Sequence, residues 1–344
     1  MNVARQPAEV EDRASHEQEL RVAVIGAGAM GEAHLRAYAA APGVRIVGLA
    51  THAPVRGEEL SARYGIEATF ADARTLIDEM KPDGVSVTTA EHDHVEPACY
   101  ALERNVGVLL EKPIASTVAD ALLIGETARK AGAILLPAHI LRFTPPYRAL
   151  KAEVVAGRIG DIVAIAARRD RTRAIADAYR RVHPAFLTAV HDIDLVLWLT
   201  GSKATRVRAL ERRRSEVGQA DLIWAQVELA SGILASISTA YLHPEGGAMS
   251  QSDRIEVYGT AGVAVVDLTV PTFTVHGRPT VAPDWLFEPS DGGGAFGAEI
   301  AHFCDCLRSN RSSEIVSIDD AVEGIRIADA MVRSATTGGG DIWL

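Results

Sequence analysis

The stretch Arg21-Val22-Ala23-Val24-Ile25-Gly26-Ala27-Gly28-Ala29-Met30-Gly31 decides how the first half of this chain folds. A short apolar run, Val22–Ile25, is stopped by glycine, and helical spacing then runs from Met30 to Ala41, ahead of Pro42-Gly43. A G-x-G-x-x-G loop that leaves a strand and opens a helix is a dinucleotide-binding turn. Gly26 permits the tight turn, Gly28 lets the backbone approach a pyrophosphate, and Gly31 lets the helix pack on the strand. The pyrophosphate would sit at the helix N-terminus, where free N–H groups and the dipole favour anions. The alternative, a glycine-rich turn without a ligand, explains the glycines but not their place between strand and helix.

Outward from this loop the pattern alternates. Val44–Ala50, Gly84–Thr89, Val106–Leu110 and Ala133–Pro137 read as strands, with helical stretches at about Val55–Tyr64, 95–104 and 117–131. Strands alternating with helices predict right-handed crossovers and a mostly parallel sheet. After a helix near Pro145–Ala156 the pattern changes. Ile162–Arg169 is a strand and Ala185–Leu199 a helix. Ala204–Glu211, Ile223–Leu229, Ile233–Tyr241, Arg254–Tyr258 and Val263–Leu268 then come as β runs with few helices between them. That predicts a second, largely antiparallel sheet. Helices at about Phe296–Arg308 and Ile318–Ser334 close the chain. The expected division is a polar tail over 1–19, a dinucleotide-binding Rossmann domain over 20–140, and an α/β domain for substrate binding and oligomerisation over 141–344.

With 344 residues, 48% hydrophobic and 23% charged, the chain can bury two cores without disulfides. Cys99, Cys304 and Cys306 are too few for a disulfide framework and form no zinc-binding pattern, so no metal is expected and the cytoplasm is the expected compartment. A net charge of −10 argues against nucleic acid as partner. The apolar runs fall short of the roughly 20 residues that cross a bilayer, and residues 1–19 lack the apolar core of a signal peptide.

The end of the second strand bears on the dinucleotide. A carboxylate about 20 positions beyond the glycines would bind the ribose 2′-hydroxyl of NAD. Thr51 and His52 stand there instead, with Arg56 on the following helix, which suits a 2′-phosphate and leans the choice to NADP.

Taken in order, several segments resemble the glucose-fructose oxidoreductase, inositol dehydrogenase and rhizopine-catabolism family. The loop has the G-x-G-x-M-G form with Met30. Thr89-Ala90-Glu91-His92-Asp93-His94 is similar to the family's T-P-x-H-x-H segment, with Ala90 where proline is usual. Glu111-Lys112-Pro113 matches its E-K-P and Arg142-Phe143 its R-F. His191-Asp192-Ile193-Asp194 falls in its histidine-bearing helix, and Arg254–Gly262 resembles a strand and turn of its second domain. The likeness covers roughly residues 20–344.

The resemblance implies an NAD(P)-dependent oxidoreductase that moves a hydride between nicotinamide and a secondary alcohol carbon of a sugar, cyclitol or derivative. The dinucleotide would touch Gly26, Gly28, Ala29, Met30, Gly31, Thr51, His52, Thr89, His92, Glu111 and Lys112. Lys112 would orient and polarise the substrate oxygen, with a cis bond to Pro113, and His191 would exchange the proton. Arg142, Tyr147, Arg168 and Asp192 are candidate substrate contacts, with Arg169, His183 and Tyr241 after them. A homodimer or homotetramer, paired through the open sheet, is expected. Without the motifs, Lys112 reads as a solvated surface charge and His191 as a core histidine.

One departure stands out. Many members carry D-x-G-x-H before this histidine, whereas this chain has Leu187 and Ala189 at the first and third positions. The carboxylate of the usual relay is missing, which leaves three readings: His191 works with Lys112 alone, Asp192 takes the carboxylate's place, or the activity is lost. Arg168–Arg173 is a basic run that receives an acidic or phosphorylated sugar or else is spent in surface ion pairs. Two further readings stay open: a glycoside-cleaving enzyme that retains its NAD, and a non-catalytic dinucleotide-binding sensor.

Overall fold

The computed structural model describes residues 19–214, 218–245, 251–269 and 294–344, so the expected N-terminal tail lies outside the described residues except for Glu19. The first half alternates β1 (Leu20–Ile25), α1 (Ala29–Ala40), β2 (Val44–Ala50), α2 (Pro54–Tyr64), β3 (Thr69–Phe70), α3 (Ala73–Met80), β4 (Gly84–Val87), α4 (Val95–Leu102), β5 (Gly107–Leu110), α5 (Val118–Ala131) and β6 (Leu135–Pro137). The six strands lie in the order β3-β2-β1-β4-β5-β6, every pair parallel. Such a sheet is covered on both faces, and β4 and β5 are buried at every residue. The chain reverses direction across the sheet between β1 and β4, which opens a crevice at their carboxyl ends.

The second half contains α6 (Pro145–Val155), β7 (Ile162–Asp170), α7 (Arg173–Ala178), α8 (Val190–Thr200), β8 (Ala204–Arg212), β9 (Leu222–Leu229), β10 (Leu234–Ala240), β11 (Ser252–Gly259), β12 (Val263–Asp267), α9 (Gly294–Ser309), α10 (Ile318–Thr336) and β13 (Ile342–Trp343). Its sheet runs β12-β11-β7-β10-β9-β8-β13 and is antiparallel except for the β7–β10 pair. One face packs on α8 and α10. The other presents Leu210, Trp224, Leu234, Tyr258, Val263 and Val265 to solvent, on strands whose side chains alternate between the two faces.

The differences from the sequence expectation have local causes. β3 is two residues long and offers no periodicity. The one local signal for α3 is Asp72, whose carboxylate caps it by accepting from the Thr75 N–H at 2.8 Å. α7 buries no residue, so it has no apolar stripe to recognise. The predicted helix over Ala185–Leu199 begins as a π-helical turn, Ala185–Ala189, before α8 continues it.

Buried charge joins the two halves. Arg142, in a short 3₁₀ turn over Ile140–Phe143 where the chain crosses to the second half, is 2% exposed. Its Nη2 donates to Asp194 at 2.7 Å and to Asp320 at 2.9 Å, Nε donates to Asp194 at 3.0 Å, and Nη1 donates to the Ile315 carbonyl at 2.7 Å. One guanidinium thereby ties the crossover to α8 and to the start of α10. The expectation that Arg142 touches substrate is corrected by this: every polar edge of it is spent inside the core. Replacing one partner of such a pair leaves the other charge buried and alone, at a cost of about 3–5 kcal/mol. Arg142→Leu is therefore expected to lower the unfolding free energy by about that much, read from denaturant melts; a loss within about 1 kcal/mol contradicts this role.

Candidate active site

The glycine loop is built for a phosphate. Gly26 has φ +111°, in the region glycine favours, and a Cβ there would lie 2.8 Å from the Thr88 backbone. A Cβ on Gly31 would lie 2.0 Å from the Gly26 carbonyl oxygen, so α1 can approach β1 only with glycine at 31. A Cβ on Gly28 would meet nothing within 4 Å. Gly28 is also the N-cap of α1, with no side chain bonded to the exposed amides. The loop thus presents open space in front of unpaired N–H groups, and these residues fit a dinucleotide pyrophosphate.

The loop forms one end of a cleft of about 1380 Å³ between the two halves. Gly26, Gly28, Ala29, Met30, Thr51, His52, Thr89, His92, Glu111, Lys112 and His191, all expected at the site, line it. Gly31 stands behind the loop as its packing support. A second cavity, of about 520 Å³ and bordered by Asp78, Lys81 and Asn105, opens at the amino ends of the first sheet, opposite the crevice where ligands bind in such folds.

At the end of β2 the Thr51 hydroxyl accepts from the Ala53 N–H at 3.1 Å. Arg56, one support for a 2′-phosphate, is not free: its guanidinium is held by Glu32 and Glu59. The turn after β4 is braced by His94, which is buried, with Nδ1 at 3.0 Å from the Pro113 carbonyl and Nε2 at 3.2 Å from that of Thr89. His92 lies on the surface beside Glu91 and Asp93. Glu111 faces His34 at 3.1 Å and accepts from the Lys112 N–H at 3.0 Å. Burial opposes its charge, but the His34 hydrogen bond and attraction to His34 and Lys112 hold its carboxyl below the usual range.

Lys112 comes just after β5, and its bond to Pro113 is cis. Its Nζ donates to the Leu187 carbonyl at 3.2 Å. The residue that lacks the family's carboxylate thus still supplies an oxygen to the lysine, from its main chain. Burial lowers the Lys112 pKa against the attraction of Glu111, and Arg171 and Arg169 lower it further. His191, on the first turn of α8, has a pKa held well below 6.5 by burial first and then by Lys112, Arg169, His139 and Arg171. Its ring is neutral at pH 7, and its buried Nδ1 has no hydrogen-bond partner among the described residues.

The remaining substrate candidates sit elsewhere. Tyr147 is fully buried, and its hydroxyl accepts from Arg169 at 3.1 Å. Asp192 is fully buried against the same Arg169, at 2.9 and 3.2 Å, so it cannot replace the missing carboxylate in the cleft. Arg168 does not line the cleft; it pairs with Asp170 at 3.0 Å and donates to Ser252. His183 is buried against Glu211 at 2.9 Å. The basic run is largely spent in ion pairs, and of it only Arg171 lines the cleft, held by Asp253 at 2.5 Å. Sequence reasoning missed Thr188, which lines the cleft from the π-helical turn. It also missed the pair between Arg181 and Glu91, at 2.8 Å across the cleft mouth. Neither carries a periodic or motif signal.

The parallel sheet, its glycine loop and the cleft above it define a dinucleotide-dependent oxidoreductase. Residues 20–139 match the model of the oxidoreductase family with an NAD-binding Rossmann fold, and residues 147–265 match the GFO/IDH/MocA C-terminal domain. The chain belongs to the Gfo/Idh/MocA family of oxidoreductases. It is 30% identical to inositol 2-dehydrogenase 1 of Saccharopolyspora erythraea over 73% of this chain and 76% of that protein. The fold is shared with the myo-inositol 2-dehydrogenase of Lactobacillus plantarum, at TM-score 0.84 and 22% identity over 95% of this chain and 100% of that one. It is shared also with the scyllo-inositol dehydrogenase of Lactobacillus casei with bound NAD(H) and scyllo-inositol, at TM-score 0.81 and 18% identity over 95% and 99%. No helix among the described residues is long and apolar enough to cross a membrane.

Proposed function

We propose that this chain is a cyclitol or polyol dehydrogenase in which Lys112 polarises the substrate oxygen and His191 exchanges its proton. The observation that carries the reading is the meeting of these two groups, one from each half, in the cleft that begins at the glycine loop. The nicotinamide, when bound, accepts or returns the hydride. Lys112 keeps its ammonium near the oxygen on which negative charge develops, which a water-poor cleft strengthens. His191 is neutral and so ready to take the hydroxyl proton. Three arginines of the basic run, Arg168, Arg169 and Arg171, are balanced by Asp170, Asp192 and Asp253, which fits a neutral polyol better than an acidic sugar. The inositol dehydrogenases among its relatives point to the same class. None of the described residues that line the cleft favours the glycoside-cleaving or sensor readings.

Lys112→Met and His191→Asn are each expected to lower kcat/KM for an inositol by about 100-fold or more, with dinucleotide binding retained. Because the folded-state pKa of His191 is depressed, its base form persists below pH 6.5, and the acid limb of alcohol oxidation lies under that value. Full activity in both variants, or an acid limb above neutrality, contradicts the assignment.

For the dinucleotide, Thr51 and His52 put no carboxylate at the end of β2, and we infer that NADP is accepted at least as well as NAD. With Arg56 engaged by two glutamates, those two residues alone support the lean. The measurement is the ratio of KM values; a KM for NADP more than about tenfold above that for NAD, the direction a 2′-binding carboxylate would impose, removes it.

Self-association through the open face of the second sheet is also proposed, as a homodimer or homotetramer. Sedimentation should give a multiple of 36.7 kDa, and Trp224→Glu together with Leu234→Lys should shift it to the monomer. A monomeric wild type at micromolar concentration rules this out.

A further inference from the structure

Between Pro184 and His191 the chain runs through the π-helical turn Ala185–Ala189. Such turns insert a residue into a helix and re-aim the side chains beyond it, and they recur at functional sites. Here the turn supports two interactions. The Leu187 carbonyl holds Lys112, and the next residue, Thr188, places its Oγ1 2.5 Å from the hydroxyl of Tyr241. Tyr241 lies immediately after β10, and its N–H donates to the Asp221 carbonyl at 2.8 Å. It is 1% exposed, and burial pushes its phenol up to about 12, so it carries its proton throughout the working range.

Either hydroxyl can donate in this contact, and the group that each choice would strand favours Tyr241 as the donor. If Thr188 donated, the phenol proton would stay in the core, where it meets no other side-chain acceptor among the described residues, at a cost of roughly 1–3 kcal/mol. If Tyr241 donates, the threonine proton is released instead, and Thr188 lines the cleft beside His191 and Leu187. A hydroxyl that already accepts is also a stronger donor. Its neighbours confine what it can meet. Lys112 and His191 line the cleft beside it, the Leu187 side chain adds no polar group, and Arg171 is held by Asp253.

We propose that Thr188 is a specificity residue that touches substrate: its hydroxyl, accepting from Tyr241, donates to a polyol oxygen neighbouring the one handled by Lys112 and His191. Tyr241 is a positioning residue that acts only through Thr188. The inference rests on the polyol dehydrogenase reading and supplies the second anchor that reading needs. One lysine and one histidine fix a single oxygen, and a ring could still turn about it; a second donor sets which hydroxyl is presented. A site that bonds a particular hydroxyl discriminates strongly against an analogue that lacks it.

The test uses the full-length enzyme with NAD or NADP and the inositol it oxidises best. Thr188→Val removes the donor at nearly constant shape. It should lower kcat/KM by about 10- to 100-fold, chiefly through KM, with dinucleotide KM unchanged; the melting temperature falls because the Tyr241 phenol is left unpaired, and adding Tyr241→Phe restores it. Thr188→Ser should stay within about threefold of wild type. Tyr241→Phe should cost about three- to tenfold, and nothing further when added to Thr188→Val. The wild type should also prefer the inositol over its deoxy analogue by a factor that Thr188→Val largely abolishes. A Thr188→Val enzyme within twofold of wild type, a serine variant as damaged as the valine one, or additive losses in the double variant would each overturn the proposal while leaving the dehydrogenase reading intact. A wild type that binds dinucleotide but oxidises no polyol brings down that reading and this inference with it.

Discussion

The cleft depends on how α8 is pinned. His191 stands on this helix just before two acidic residues that face inward, and each is met by a buried guanidinium: Asp192 by Arg169 from β7, Asp194 by Arg142 from the crossover. All four charged groups are at most 3% exposed. Buried ion pairs are a poor source of stability, because desolvation consumes most of the Coulombic gain. What they fix here is geometry. A helix that slid by one residue would break both pairs at once, so His191 is held in one register and at one height above the Lys112 loop.

The same pairing decides the electrostatics of the site. Arg169 and Arg171 share Asp253, and Lys112 has Glu111 on its other side. The cations near His191 are therefore balanced by carboxylates, yet they act more strongly than they would across bulk water, and the imidazole stays neutral. The basic character of the run from Arg168 to Arg173 shapes a histidine more than it shapes a surface.

How much of this was legible in the sequence depends on how local each signal is. The glycine loop, the parallel alternation and the Glu111-Lys112-Pro113 segment are properties of a few adjacent residues, and the structure brings them to one cleft. The misassigned residues share a different feature. Arg142, Tyr147, Arg168 and Asp192 look like ligand-binding groups because they are polar. Yet they meet Asp320, Arg169, Ser252 and again Arg169, partners 22 to 178 positions away that come within reach only after folding. No windowed reading can see that Asp192 is already spent on Arg169. Leu187 shows the converse. Its side chain suggested a lost function, while its carbonyl, which every residue possesses, meets Lys112. The π-helical turn leaves no pattern in an apolar stretch, and so Thr188 was invisible.

The packing of α9 on the first sheet bears on how the protein is made. Leu307 of this helix lies so close that a Cβ on Gly84 or Gly107 would come within 2.7 or 2.3 Å of it, and Arg308 reaches back to the Pro42 carbonyl at 3.0 Å. The covering for the amino ends of β4 and β5 is thus encoded far downstream of those strands, at Leu307 against Gly84 and Gly107. During synthesis the dinucleotide-binding sheet emerges well before its last apolar wall does. At about 5–20 residues per second those strands wait on the order of ten seconds or more for the segment that covers them. A fragment ending near His139 would lack this wall altogether.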